Sequence, residues 1–114
     1  MKILVTGGTG FLGRHVVWRP ADAGADVEFT GRDARAADEV MRLAPAPVRW
    51  QALRHGEADA EGILVTAASD ADPVVHCAAL SSPWGRYEDF RRANVASTAE
   101  VIAACAAKDV RRLV

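Results

Sequence analysis

Ile3-Leu4-Val5-Thr6 runs straight into Gly7-Gly8-Thr9-Gly10-Phe11-Leu12-Gly13. The apolar run predicts a short buried strand ending at Thr6, and the residues from Phe11 onward predict a helix. Between them the backbone must turn tightly and still leave room for a bulky anion to approach. A Cβ at those positions blocks the approach or strains the turn, so glycine is the residue that fits. The helix start adds unpaired N–H groups and the positive end of the helix dipole. The stretch satisfies both G-x-G-x-x-G (Gly8, Gly10, Gly13) and G-x-x-G-x-x-G (Gly7, Gly10, Gly13), in the strand–turn–helix setting that a nucleotide-phosphate loop requires. Gly13 is expected to let the first helical turn pack close against the strand. The alternative is a glycine-rich turn that holds no ligand.

Downstream the pattern alternates strand and helix. The first strand is Lys2–Thr6, and a helix is expected over Phe11–Ala23 with Gly24 as its stop. A strand over Asp26–Thr30 and a polar helix over Ala34–Leu43 follow, before Ala44-Pro45-Ala46-Pro47 breaks the chain. Val48–Leu53 suits a short third strand and Glu57–Ser69 a weakly amphipathic helix. Pro73–Cys77 reads as the next strand, with proline tolerated at its first position. A loop over Ser81–Tyr87 leads into a long helix, Tyr87–Lys108, and Arg111–Val114 begins another strand. In that helix Asn94, Thr98, Val101, Ile102 and Cys105 share one face of a 3.6-residue period. Strands alternating with helices imply an α/β domain with a doubly wound parallel sheet and right-handed crossovers. About four strands plus the start of a fifth are expected, all within one domain, 1–114.

Fourteen basic and fifteen acidic residues leave a net charge of −1. That balance supplies no field for nucleic acid or a membrane surface. Lys2 and Lys108 are the only lysines. Cys77 and Cys105, each within an apolar run, are expected to be buried small hydrophobes in a reducing compartment rather than a disulfide. The first strand begins at once, so no signal peptide is expected, and no apolar run is long enough to span a bilayer. The expected location is cytoplasmic. His15, His55 and His76 show no ligand spacing with the cysteines, so no metal is expected.

Val5–Gly13 resembles the opening of the extended short-chain dehydrogenase/reductases, the NAD-dependent epimerase/dehydratase superfamily. Val75-His76-Cys77-Ala78-Ala79-Leu80 resembles that family's fourth strand, and Asn94-Val95 with Thr98 its fourth long helix. Ser81-Ser82-Pro83-Trp84-Gly85 is most similar to the branch of 3β-hydroxysteroid dehydrogenase-like enzymes and bacterial β-keto reductases. The resemblance implies that residues 1–114 are the N-terminal part only of a Rossmann-type domain that binds NAD(P), with a partial sheet. Gly7, Gly10 and Gly13 would shape the pyrophosphate loop, and Phe11 and Leu12 would offer it backbone N–H groups. Ala78 and Ala79 would let ribose and nicotinamide approach the strand end. Asn94 would steady the site through hydrogen bonds, or is simply a polar residue satisfied by nearby backbone. Where NAD-preferring members carry an aspartate, this sequence has Gly31 followed by Arg32, a pair suited to a 2′-phosphate and so to NADP over NAD. The alternative is that Gly31 serves the turn and Arg32 faces water.

The sequence also departs from the family. The Tyr-x-x-x-Lys pair, in which a nearby charge lowers the tyrosine pKa for acid/base work, has no counterpart here. The single tyrosine, Tyr87, is followed four residues later by Arg91 and is expected to be a partly buried aromatic at a helix start. Ala52-Leu53 stands where an Asp-Leu pair contacts adenine, and Ser97 where glycine is common. Pro20-Ala21 replaces larger aliphatics, and a proline inside a helix costs about 3 kcal/mol. Trp84 would wall a substrate pocket or cover the sheet end. The resemblance therefore implies the dinucleotide-binding portion of an oxidoreductase acting on a sterol or β-keto substrate, with no catalytic residue among these 114. A small-molecule substrate is expected only in a longer form. A sugar-nucleotide epimerase or dehydratase half, a noncatalytic NADP(H)-binding module and a decayed fragment stand as alternatives. Oligomeric state is left open.

Overall fold

A computed structural model describes all 114 residues. Four strands, β1 (Lys2–Thr6), β2 (Asp26–Gly31), β3 (Arg49–Ala52) and β4 (Ala71–His76), form one parallel sheet in the order β3-β2-β1-β4. The chain steps from β1 outward to β2 and β3, then returns past β1 to β4. Right-handed crossovers taken in opposite directions place their helices on opposite faces. Accordingly α1 (Phe11–Asp22) and α2 (Ala34–Leu43) cover one face, while α3 (Ala60–Ala68) and the later helix cover the other. β1 serves both: Ile3 and Val5 pack with Val17, Val27, Phe29 and Val40, whereas Leu4 packs with Leu64, Val74 and Val101. Reversal of strand order on either side of β1 opens a crevice at the carboxyl ends of β1 and β4.

The expected start of a fifth strand is present as pairing on the far side of β4. Val74 and Leu113 form a parallel bridge, and the His76 N–H donates to the Val114 carbonyl at 2.7 Å. β4 itself begins at Ala71, two residues earlier than expected, so Pro73 lies inside it. Lys2 is opposite Ala71 but Leu4 is opposite Val74, which inserts one extra residue in β4. Proline is tolerated there because a bulge relieves it of a ladder donor.

Pro20 does not interrupt α1, which continues to Asp22. Proline removes one intrahelical donor, its own N–H, and the helix ends two residues beyond it. The end is closed by a Schellman motif: Ala25 N–H donates to Pro20 O at 2.9 Å and Gly24 N–H to Ala21 O at 3.0 Å, with Gly24 at φ +91°. Beside Pro20 an open trough lined by Ile3, Val16, Pro73 and Val75 runs along the α1 face, away from the strand ends.

The segment expected as one long helix has three parts: α4 (Tyr87–Phe90), a π-helical stretch Arg91–Ala96, and α5 (Ser97–Ala107). The buried stripe of α5 is Ser97, Val101, Ala104 and Cys105; Ile102 is 53% exposed. Val101, Ala104 and Cys105 pack in one cluster with Ala60, Leu64, Ala67 and Ala68 of α3, which centres the stripe on Val101 and turns Ile102 about 100° away. Buried Ser97 is satisfied by donating to the Ala93 carbonyl. Two further expectations are corrected. Cys77 lies beyond β4 and is half-buried rather than buried. Tyr87 is 77% exposed, because α4 is a single turn that packs no face onto the core.

Candidate functional site

The turn between β1 and α1 is held by its own glycines. Gly7 adopts φ +67°, and a Cβ there would lie 2.6 Å from Ala78 N and Cα. The phosphate-type loop is thus pressed directly onto the segment leaving β4. A Cβ on Gly13 would fall on the Gly7 carbonyl oxygen. The close approach at Gly13 is therefore to the loop's own backbone rather than to the strand. Gly8, buried, packs on the Phe29 ring and donates to Thr30 O at 2.9 Å.

Gly10 differs from the others. It is the N-cap of α1, at φ −74° and ψ 174°, and supplies no side-chain cap. A Cβ there would meet only Gly7 O, at 3.4 Å, so the protein itself leaves room for one. Ser, Thr, Asp or Asn is preferred at such a position because its side chain satisfies an orphan N–H. Beyond it, the N–H groups of Phe11, Leu12 and Gly13 donate to no backbone or side-chain acceptor. Phe11 and Leu12 are 87% and 65% exposed. The result is an exposed cradle of bare donors over a glycine, which fits a diphosphate.

On one side the cradle meets the end of β2. Gly31 is pressed against Thr9: a Cβ on Gly31 would lie 2.6 Å from Thr9 Cγ2. Arg32 follows and is exposed. Asp33 is committed to capping α2, accepting from Arg35 N at 2.9 Å and Ala36 N at 3.3 Å. Leu53 is buried, and Thr30 carries a buried hydroxyl without a partner.

On the other side a polar chain joins the ends of β1 and β4 to α5. Thr6 and His76 are in register, and Thr6 Oγ1 lies 2.6 Å from His76 Nδ1. His76 Nε2 lies 3.1 Å from Thr98 Oγ1, which itself donates to Asn94 O at 2.8 Å. Thr98 must then accept from Nε2–H, so Nδ1 is the acceptor for Thr6. Ala78 N–H reaches Thr6 Oγ1 at 3.4 Å. Asn94 grips Leu80 with both ends of its amide, accepting from N–H at 2.8 Å and donating to O at 3.2 Å. Ala78 therefore rests between Gly7 and Thr6, while Ala79 is exposed. Thr6, His76 and Thr98 were not among the expected site residues. Their signal was a threonine and a histidine at the ends of two strands that later pair.

Burial pushes the His76 pKa down, and the neighbouring His55 ring, 6.3 Å away, adds to this. His55 in turn lies 3.0 Å from Glu100. Folded His76 thus binds fewer protons than it does in the unfolded chain, whose pKa is near 6.5. Stability is then lost as pH falls through the unfolded value. Melting temperatures measured from pH 7.5 down to 5.5 should decline, and His76→Asn should flatten that decline. An unchanged slope in the variant would assign it to other groups. Burial also raises the Cys77 and Cys105 pKa values, which keeps both as thiols.

Arg91 Nε donates to Glu88 at 3.3 Å, and no hydrogen bond joins it to Tyr87. Trp84 is 80% exposed. No helix is long and apolar enough to cross a membrane.

Loop, strand order and bare helix start together define a dinucleotide-binding α/β unit of the Rossmann type. Residues 3–114 match the model of the NAD dependent epimerase/dehydratase family, and the chain belongs to that family, among the extended short-chain dehydrogenase/reductases. It is 37% identical over its full length to a 2-alkyl-3-oxoalkanoate reductase of Stenotrophomonas maltophilia, covering 32% of that protein. It is 31% identical to rat 3 beta-hydroxysteroid dehydrogenase type 7, with 97% of this chain and 33% of that protein aligned. Among solved structures, a short chain dehydrogenase/reductase family protein superposes with a TM-score of 0.80 at 29% identity, over 93% of this chain and 48% of that one. The chain spans about a third of the length of the curated relatives it matches.

Proposed function

We propose that residues 1–114 form the N-terminal part of an NADP-binding domain of a reductase acting on a ketone or hydroxyl of a β-keto or sterol-like substrate. The observation that carries this is the set of bare N–H groups on Phe11, Leu12 and Gly13 above Gly7 and Gly10. The diphosphate would sit there, as anions do at helix starts. Adenosine would lie toward Gly31 and Arg32, and nicotinamide toward Ala78 and Ala79, with Asn94 holding the Leu80 backbone behind them. Bound nicotinamide supplies or accepts the hydride. Missing carboxylate at Gly31 and the guanidinium of Arg32 favour a 2′-phosphate over ribose hydroxyls. The names of the two relatives support the substrate class. Unpaired thiols suit a reducing compartment such as the cytoplasm. Proton transfer would come from residues outside these 114, so the chain alone should turn over no ketone.

Titration with NADPH and NADH, followed through the amide resonances of residues 7–13, tests the reading. Shifts in that loop, at Gly31–Arg32 and over Ala78–Leu80 are expected, with tighter binding of NADPH. Arg32→Ala should reduce the NADPH preference about tenfold, the loss of a charge-assisted pair. A folded sample whose loop amides stay unmoved by either nucleotide refutes the proposal.

A further inference from the structure

Arg14, on the first turn of α1, grips the glycine loop from outside. Its Nε–H donates to Gly10 O at 3.3 Å and an Nη2–H to Thr9 O at 3.0 Å. Those two groups form one edge of the planar guanidinium fork. The remaining edge carries one N–H from Nη1 and one from Nη2. Glu39 of α2 approaches that edge, with Oε1 at 3.5 Å from Nη1, and its side chain is 47% exposed. At that distance it is an ion pair without a well-formed hydrogen bond. Thr9, whose carbonyl Arg14 holds, has its side chain against the end of β2 at Gly31. Arg32 follows there and takes part in none of the ion pairs.

We propose that Arg14 is a specificity-determining residue whose outer guanidinium edge, now facing the Glu39 carboxylate, receives the 2′-phosphate of an NADP-type dinucleotide opposite Arg32. This rests on the dinucleotide reading above. A guanidinium edge matches two phosphate oxygens with parallel hydrogen bonds, and its geometry here is fixed by the two loop carbonyls. The carboxylate beside it marks a place where an anion is stable. An exposed ion pair of this kind is weak, so a phosphate of higher charge displaces it. A ribose carrying only hydroxyls gains nothing at that edge.

The test is calorimetric titration of the 114-residue chain with NADP+ and with NAD+, for the parent, Arg14→Met and Glu39→Gln. Arg14→Met should weaken NADP+ about tenfold and NAD+ by less than about threefold. Glu39→Gln, removing the competing carboxylate, should tighten NADP+ about threefold and leave NAD+ unchanged. Equal weakening of both nucleotides by Arg14→Met would reduce Arg14 to a brace for the loop and overturn the proposal. So would an unchanged NADP+/NAD+ ratio in Glu39→Gln, which carries the test if Arg14→Met fails to fold. A cooperatively folded parent that binds neither nucleotide instead defeats the dinucleotide reading itself.

Discussion

Gly13→Ala is expected to lose both the folded loop and nucleotide binding, whereas Gly10→Ala should lose binding alone. The Gly13 Cβ would overlap the Gly7 carbonyl, and both partners are backbone. Neither can swing aside as a side chain could, so α1 must shift away from the loop. Overpacking of this kind costs about 3 kcal/mol, which lowers the melting temperature by on the order of 15 °C for a domain of this size. At Gly10 the new methyl meets only Gly7 O at 3.4 Å. Glycine is preferred to alanine at an N-cap, so a stability cost of about 1 kcal/mol is expected, well below that at Gly13. The methyl would also stand where the diphosphate must approach. Thermal melting and NADPH titration of the two variants separate the effects. A Gly10→Ala protein that binds NADPH as tightly as the parent would show that no ligand comes close to this turn.

Pro20→Leu should stabilise the chain by about 2–3 kcal/mol, the helix-interior penalty of proline. The substitution restores an N–H to the last turn of α1. Its side chain can extend along the trough lined by Ile3, Val16 and Val75, so it meets open space rather than a packed core. The Schellman closure at Gly24 and Ala25 uses the carbonyl of residue 20, which leucine retains. Calorimetric melting should therefore rise by on the order of 10 °C. A fall would mean that the proline's fixed φ, and not merely its position, sets how α1 ends.

The loop was legible from residues 3–13 because every constraint on it is local. An apolar run, a tight turn and a helix start follow one another, and each step demands a residue type that glycine or an aliphatic supplies. The alternation of strands and helices likewise announced a parallel sheet, and the pairing of 111–114 beside β4 follows from it. Less was visible where partners are distant. From sequence Pro73 reads as a strand start, because a bulge opposite β1 is not visible in β4 alone. Periodicity puts Ile102 on the buried face because it ignores which stripe a neighbouring helix selects. Here the stripe packed with α3 is Val101, Ala104 and Cys105. Asn94 left two readings open, and its double bond to Leu80 places its amide on backbone fourteen residues away.

Order along the chain thus suffices for the glycine turn and the α/β class, since short-range sterics and hydrogen-bond demands leave few other conformations. Which groups converge on the turn depends on folding over 70 or so residues. Thr6 meets His76 only through strand register, Gly7 meets Ala78 only because β4 lies beside β1, and Arg14 meets Glu39 only because α1 and α2 share a face. Hydrogen bonds and ion pairs act over a few ångströms, so their partners are selected by the packing of sheet and helices rather than by spacing along the chain.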